Sequence, residues 1–303
     1  MKKKLVLTLT AVAAAIAVTA CGGGTASAPA ASSAGASEEA SDDKEEAESG
    51  DAATGGTITV AATEVPHAEI LEVAKPILAE KGWDLEVTVF SDYVQPNQVV
   101  SSGQIDANYF QHQPYLDDYN AENKTDLVSV GWIHYEPLGI YSSKHENVTD
   151  IEDGIKIGVP NDPTNEARAL QLLQDNGIIK LKDGVGLTAT ALDVIAGESH
   201  NAEIVELEAA QVSRHIDELD YVVLNGNYAM EAGLNVAKDA LAYESSDSEA
   251  AETYVNVIVV NAGNEENEGV KALVEVLESD AITGFIESEY QGSVVPFTGS
   301  VPR

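Results

Sequence analysis

The chain of 303 residues has a single cysteine, Cys21, so it carries no intrachain disulfide framework. Basic residues are scarce: 16 Lys and Arg stand against 51 Asp and Glu, for a formal charge of −35. A surface of that sign repels phosphate backbones and anionic headgroups, which argues against nucleic acid and against adsorption to lipid through a basic patch. Arginine is rarer still, with only Arg168, Arg214 and Arg303, so each one is informative. No apolar run reaches membrane-spanning length; the longest candidate, Leu5 to Val18, is short and rich in alanine. The common enzyme signatures are also missing: there is no P-loop, no G-x-S-x-G elbow and no H-E-x-x-H. Cys21 lies in the N-terminal export region and is excluded as a nucleophile, whereas a Ser-His-Asp triad assembles in space and is not excluded by spacing. His67 with Glu69, and His112, hint at zinc, but His134, His145, His200 and His215 add no ligand spacing, so neither metal nor cofactor is expected.

What is present begins with Lys2, Lys3 and Lys4, a short apolar stretch, and the small residues Val18-Thr19-Ala20 ahead of Cys21. This is the layout of an export signal over residues 1–20, with Cys21 placed as in a bacterial lipobox, where the thiol is lipidated. Residues 21–56 turn to Gly, Ala, Ser, Thr and Glu without an aromatic residue. Their second half is acidic, with a single Lys44. Such a segment has too little apolar surface to fold and reads as a tether.

From residue 57 onward, strand and helix patterns alternate. Ile58 to Ala62, Leu85 to Phe90, Leu127 to Ile133, Ile155 to Val159, Ile204 to Leu207, Tyr221 to Leu224 and Tyr254 to Val260 read as strands. Helices are expected at about 67–81, kinked at Pro76, after Pro163, and at about 266–278 and 281–290. This alternation implies α/β architecture with parallel sheets, in two series that suggest two lobes, and ligands of such sheets bind at the carboxyl ends of the strands.

Several unusual residues fall at those ends. In Val159 to Arg168, Asp162 suits an N-cap and Pro163 the first helical position, and Arg168 follows in the second turn. A guanidinium near a helix N-terminus gains nothing from the dipole and calls for an anion: a ligand carboxylate, or Glu166 or Asp162 nearby. Tyr93 follows a strand, and Tyr109, Phe110, His112 and Tyr115 place four rings within seven residues; His112 and Tyr115 are spaced to share a helix face. Such a cluster suits an apolar or sulfur-bearing side chain, or simply a core. Asn225-Gly226-Asn227 reads as a turn with a positive φ, while Asn256 interrupts a β-branched strand and needs partners there.

Taken in order, Val65-Pro66-His67-Ala68-Glu69, Phe90-Ser91-Asp92-Tyr93, Asp106 to His112, Glu136 to Ser142, Val159 to Asn165 with Arg168, Leu181 to Leu187 and Tyr254-Val255-Asn256 closely resemble the methionine-binding lipoproteins of bacterial ABC importers, the NlpA family. The resemblance runs from Ile58 to Phe297. It implies a class II periplasmic-binding-protein fold: two Rossmann-like lobes joined by two crossover segments, near Tyr141 and Tyr254. Lobe 1 would then be 57–142 plus 255–303 and lobe 2 143–254. It further implies that Arg168 holds an amino acid's α-carboxylate, assisted by Asn165 and Asn161. Asn225 and Asn256 would contact its amino and carboxylate groups, and Tyr93, Phe110, His112 and Tyr115 would surround the thioether. The implied role is binding without catalysis. L-methionine or a close analogue is captured and delivered to permease and ATPase subunits by a protein anchored through lipid on Cys21 to the extracytoplasmic face of the cell membrane. Some members of the family take dipeptides such as Gly-Met, or other amino acids. Readings from other classes are an adhesive surface lipoprotein without cargo, and a hydrolase on the same fold, for which no nucleophile is found. On the importer reading, Arg168→Ala abolishes binding and leaves the fold intact.

Overall fold

A computed structural model describes residues 55–299; the signal, Cys21 and nearly all of the tether lie outside the described residues. The chain opens with β1 (Thr57–Ala62), α1 (Glu69–Glu80), β2 (Asp84–Val89), α2 (Gln95–Ser101), β3 (Ala107–His112), α3 (Gln113–Asn123) and β4 (Leu127–Tyr135). A second series follows: β5 (Gly139–Tyr141), β6 (Lys156–Pro160), α4 (Pro163–Asp175), β7 (Glu203–Leu207), α5 (Ala209–Val212), β8 (Tyr221–Leu224), α6 (Gly226–Glu231), α7 (Val236–Asp239) and β9 (Ala242–Tyr243). The chain then returns through α8 (Glu249–Thr253) to β10 (Val255–Asn261), α9 (Glu268–Leu277), α10 (Asp280–Tyr290) and β11 (Val295–Pro296). Among the described residues, no helix is long and apolar enough to cross a membrane.

Two sheets result, in the orders β11-β4-β10-β3-β1-β2 and β7-β6-β8-β5-β9. They are mixed rather than parallel. The β1–β2, β1–β3, β6–β7 and β6–β8 pairs are parallel, as strand–helix–strand units require. β10 runs antiparallel between β3 and β4, because the returning chain enters this sheet from the cleft end. β5 also belongs elsewhere than expected. Gly139, Ile140 and Tyr141 pair with Leu224, Val223 and Val222 of β8, so the first crossing occupies residues 136–138, ahead of Tyr141.

The β-branched run of β10 is explained by burial on both faces. Val257 and Val259 pack with Val100, Leu116 and Leu127, while Ile258 and Val260 pack with Ile70, Leu273 and Ile282. β8 is treated likewise: Tyr221 and Val223 join one core of the second lobe, Val222 and Leu224 the other. α1 runs through Pro76 as one α-helix; Pro76 is exposed, so the hydrogen bond it cannot donate is lost on the solvent face. All of the site described next sits where these two sheets face one another.

Candidate functional site

The expected cap forms at the N-terminus of α4. The Asp162 carboxylate accepts the Asn165 N–H at 2.9 Å and the Asn165 side-chain NH2 at 2.9 and 3.0 Å. A carboxylate only accepts, so the Asn165 amide oxygen is turned the other way, where it receives Asn225 Nδ2 at 2.7 Å and His112 Nε2 at 3.1 Å. His112 ends β3 and caps α3, its Nδ1 accepting the Tyr115 N–H at 3.2 Å; it is a cap, not a partner of Tyr115 on a helix face. Burial, with Arg168 nearby, lowers the His112 pKa to about 3, so the ring is neutral with its proton on Nε2. By this chain of fixed donors, Asn225 Oδ1 is left buried and without a partner. An unpaired buried acceptor costs about 1–3 kcal/mol and calls for a donor.

Arg168 is buried and pairs with neither Glu166 nor Asp162. Its Nε and Nη2 donate to the two carboxylate oxygens of Glu244 at 2.9 and 2.6 Å, and Nη2 also reaches the Glu136 carbonyl at 2.9 Å. Glu244 in turn accepts the Tyr135 hydroxyl at 2.6 Å and the Leu138 N–H at 2.9 Å, which ties the first crossing to the segment leading into the second. The Tyr254 ring lies 4.2 Å from the guanidinium carbon. Burial alone would lower the Arg168 pKa, but Glu244 more than offsets it and the guanidinium stays charged. Burial likewise works against the Glu244 anion, and Arg168 outweighs it.

Glu136 lies in the first crossing with a different set of neighbours. Its Oε1 receives His134 Nε2 at 2.8 Å and stands 3.4 Å from His67 Nε2. His67 Nε2 donates to Asn256 Oδ1 at 3.0 Å, which gives that strand amide a partner, and Asn256 lines the cavity. Behind the two rings, Thr63 bonds His67 Nδ1 at 2.7 Å, and Tyr109 bonds His134 Nδ1. His67, His134 and Glu136 are thus brought within 4.8 Å of one another, a cluster that sequence spacing did not reveal. Every ring nitrogen in it has a protein partner. Burial lowers His67 to about 4 and His134 to about 3, so neither supplies a positive charge, and the same burial raises the pKa of Glu136. Gly226 opens α6 with an ordinary φ. A Cβ there would come within 2.7 Å of Glu136 Cβ, so close approach, not a turn, requires the glycine.

Opposite these polar groups stand rings. Tyr93 lies 5.8 Å from Phe110, 5.8 Å from Tyr115 and 4.9 Å from Tyr228 between centroids. The register between β3 and β10 shifts at Phe110, a bulge that re-aims the strand beside the cavity. Tyr93 donates its hydroxyl to Asn227 across the cleft, and Tyr115 to the Tyr93 carbonyl at 3.1 Å, so their polar tips are tied and their faces are left for an apolar tail.

A family model described as NlpA lipoprotein matches residues 58–298. The chain belongs to the NlpA lipoprotein family. It is 43% identical over 230 residues to the D-methionine-binding lipoprotein MetQ of Salmonella typhimurium, covering 75% of this chain and 83% of that protein. Among solved structures, a protein from Ruminococcus gnavus is 64% identical with a TM-score of 0.77, covering 80% of this chain and 99% of that one. A nutrient binding protein from Burkholderia cenocepacia, solved bound to methionine, is 41% identical with a TM-score of 0.75, covering 79% and 99%. The substrate-binding fold of two lobes and two crossings is therefore that of the family.

In this NlpA lipoprotein one cavity is lined by Tyr93, Phe110, His112, Tyr115, Asn165, Arg168, Asn225 and Asn256. All eight were singled out in the sequence. Asn161 is not among them: it is exposed at the end of β6 and lines an adjoining space with Asp162, Glu208 and Tyr228. Sequence reasoning missed Gln111, Glu136, Gly226 and Asn227 in the lining. Tyr109 faces His134 and lies outside it.

Proposed function

We propose that this protein is an extracytoplasmic substrate-binding lipoprotein that captures L-methionine or a close analogue between its lobes and delivers it to an ABC importer. The observation that carries this reading is the two-ended cavity. At one end, Arg168, the Asn256 amide, ionisable Glu136 and unpartnered Asn225 Oδ1 offer groups of both signs, as a zwitterion needs. At the other, Tyr93, Phe110 and Tyr115 offer faces to an unbranched thioether. Relatives that carry methionine in their names or in their crystals support the same ligand. In this reading Arg168 receives the α-carboxylate, Asn225 and Glu136 the α-ammonium, and Asn165 and His112 hold Asn225 in place. Binding closes the lobes, lipid on Cys21 keeps the protein at the membrane, and the closed form presents its cargo to the permease and ATPase subunits. The space beside Asn161 and Tyr228 adjoins the cavity across Tyr93 and Tyr115 and favours, as a second reading, a longer ligand such as a methionine dipeptide.

The test is a thermal-unfolding series on protein unfolded and refolded to remove any carried ligand, with L-methionine, D-methionine, Gly-Met and other amino acids. A ligand at 1,000 times its Kd adds about 4 kcal/mol and moves the transition plainly. A shift with L-methionine is expected. A shift with Gly-Met alone would change the cargo, and no shift in a well-folded sample would point to a surface protein without cargo.

A further inference from the structure

The two buried charges at the polar end of the cavity are not equally available. Arg168 has five N–H donors, and three are committed within the protein, two of them in a two-pronged bond to Glu244. Its charge is therefore already matched by a full carboxylate at 2.6 Å. Glu136 has no such match: the neutral His134 imidazole donates a hydrogen bond without bringing charge, and the neutral His67, 3.4 Å away, gives its Nε2 proton to Asn256. Counting fixed charges, Arg168 and Glu244 cancel and Glu136 remains. Asp162, half-buried behind Asn165, adds to the negative side. Asn225 Oδ1, an unpartnered amide oxygen in the cavity lining, also asks for a donor, while the unpartnered Asn227 Nδ2 beside it asks for an acceptor.

From this geometry we propose that Glu244 is a specificity-determining residue: by occupying the guanidinium of Arg168 it makes the ligand's α-ammonium, rather than its α-carboxylate, the group on which ligands are selected. The inference deepens the amino-acid reading above and rests on it. Glu244 acts through Arg168 and is a positioning residue. Its consequence is a ligand class: α-amino compounds whose carboxyl is neutral, such as α-amino amides, are accepted. Carboxylates lacking the ammonium are refused, because they leave the buried Glu136 charge unmatched and Asn225 Oδ1 without a donor. A free, uncompensated arginine would impose the opposite order.

The experiment is isothermal titration of the protein with L-methionine, L-methioninamide and the α-hydroxy analogue of methionine, the last two nearly isosteric with the first. The amide is expected within about tenfold of L-methionine and the hydroxy acid weaker by about a hundredfold or more. Glu244→Gln keeps shape and most hydrogen bonds but frees the arginine's charge. It is expected to move the ratio of hydroxy-acid to amide affinity by at least about tenfold toward the acid. A purely structural role would weaken all three ligands alike and leave that ratio unmoved, which overturns the proposal. Wild-type protein that binds the hydroxy acid as well as methionine and rejects the amide overturns it without any variant, should Glu244→Gln not fold. If L-methionine and both analogues fail to bind well-folded protein, the amino-acid reading itself falls first, and this inference with it.

Discussion

In the second lobe, Asp162, Asn165 and Arg168 come from one stretch of seven residues at the start of α4, and Asn225 hangs from them by a single hydrogen bond. In the first lobe and its crossing, Tyr93, Phe110, Glu136 and Asn256 come from four separate places in the chain. The second-lobe groups are oriented locally: a cap fixes an amide, the amide fixes its neighbour, and the helix fixes the guanidinium. The first-lobe groups are oriented only when β1, β3, β4 and β10 come together and the Thr63–His67 and Tyr109–His134 pairs close behind Glu136. The charges differ in the same sense, Arg168 being matched within the protein and Glu136 awaiting a match.

Arg168→Ala separates the two lobes most clearly. It is expected to remove ligand binding, as the sequence already suggested, but not to spare the fold. Deleting one member of a buried pair strands Glu244, at a cost of about 3–5 kcal/mol, enough to lower the melting transition by roughly 10 °C. The double change Arg168→Met with Glu244→Leu is expected to regain most of that stability and none of the binding. An Arg168→Ala protein with an unchanged melting curve would mean that the pair contributes nothing.

Next comes Glu136→Gln, which keeps shape and removes the unmatched charge. A hydrogen bond to a charged partner contributes about 1.5–3 kcal/mol, so methionine affinity should fall by about 10–150-fold. Its pH signature separates it from a packing effect. The ligand ammonium binds ionised Glu136, so affinity is full above the ligand-free pKa of that group and is lost as pH falls through it, by about tenfold per unit. Burial raises that pKa, so the loss should begin above the usual carboxylate range, while His67 and His134, at about 4 and 3, stay neutral throughout it. Titrations from pH 8 downward should show the decline in the wild type and a flat profile in Glu136→Gln; the same slope in both would assign the titration elsewhere.

Gly226→Ala tests how closely the two lobes meet at that carboxylate. The new Cβ meets Glu136 Cβ at 2.7 Å and Oε2 at 2.9 Å. Overpacking of this kind costs about 1–3 kcal/mol, and alanine's better helix propensity returns up to about 1. A net loss of about 1–2 kcal/mol is expected, with weaker methionine binding because Glu136 must shift. Unaltered affinity in the alanine variant would show that Glu136 is not held in position from this side.

The same difference between local and long-range orientation decides what could be read from the chain. β10 was legible because a strand buried on both faces reads as a near-continuous apolar run, broken here by Asn256, and the α4 stretch because capping rules act within a few residues. Arg168 could be recognised as needing an anion, yet its partner lies 76 residues away, beyond any local rule. Glu136 and Gly226 were not read as site residues because a lone acid at a strand end and a glycine beside two asparagines each have ordinary explanations. Only the packing of α6 against the first crossing gives them another. The mixed sheet direction was hidden for a related reason, since alternation of strands and helices does not say from which end a returning chain enters. The residues legible in Tyr109 to Tyr115 were right as a cluster, while their division between cavity and support depended on a bulge.

The smallest expected effect is the most discriminating between ligands. Asn161 was assigned to the carboxylate end by resemblance, but its side chain is exposed and borders the adjoining space rather than the cavity; its backbone N–H is what holds the loop, to the Leu207 carbonyl at 2.8 Å. Asn161→Ala keeps that backbone bond, so stability and L-methionine affinity should both change by less than about 0.5 kcal/mol. A ligand long enough to pass Tyr93 and Tyr115 would reach Asn161, and only such a ligand should lose affinity in the variant, by about 1 kcal/mol for one hydrogen bond. Calorimetric titration of both proteins with L-methionine and Gly-Met reads the difference directly. Equal binding of L-methionine with weakened Gly-Met would extend the site into the second space. A marked loss for L-methionine would mean that the loop at the end of β6 moves onto the ligand and that the division between the two spaces does not survive binding.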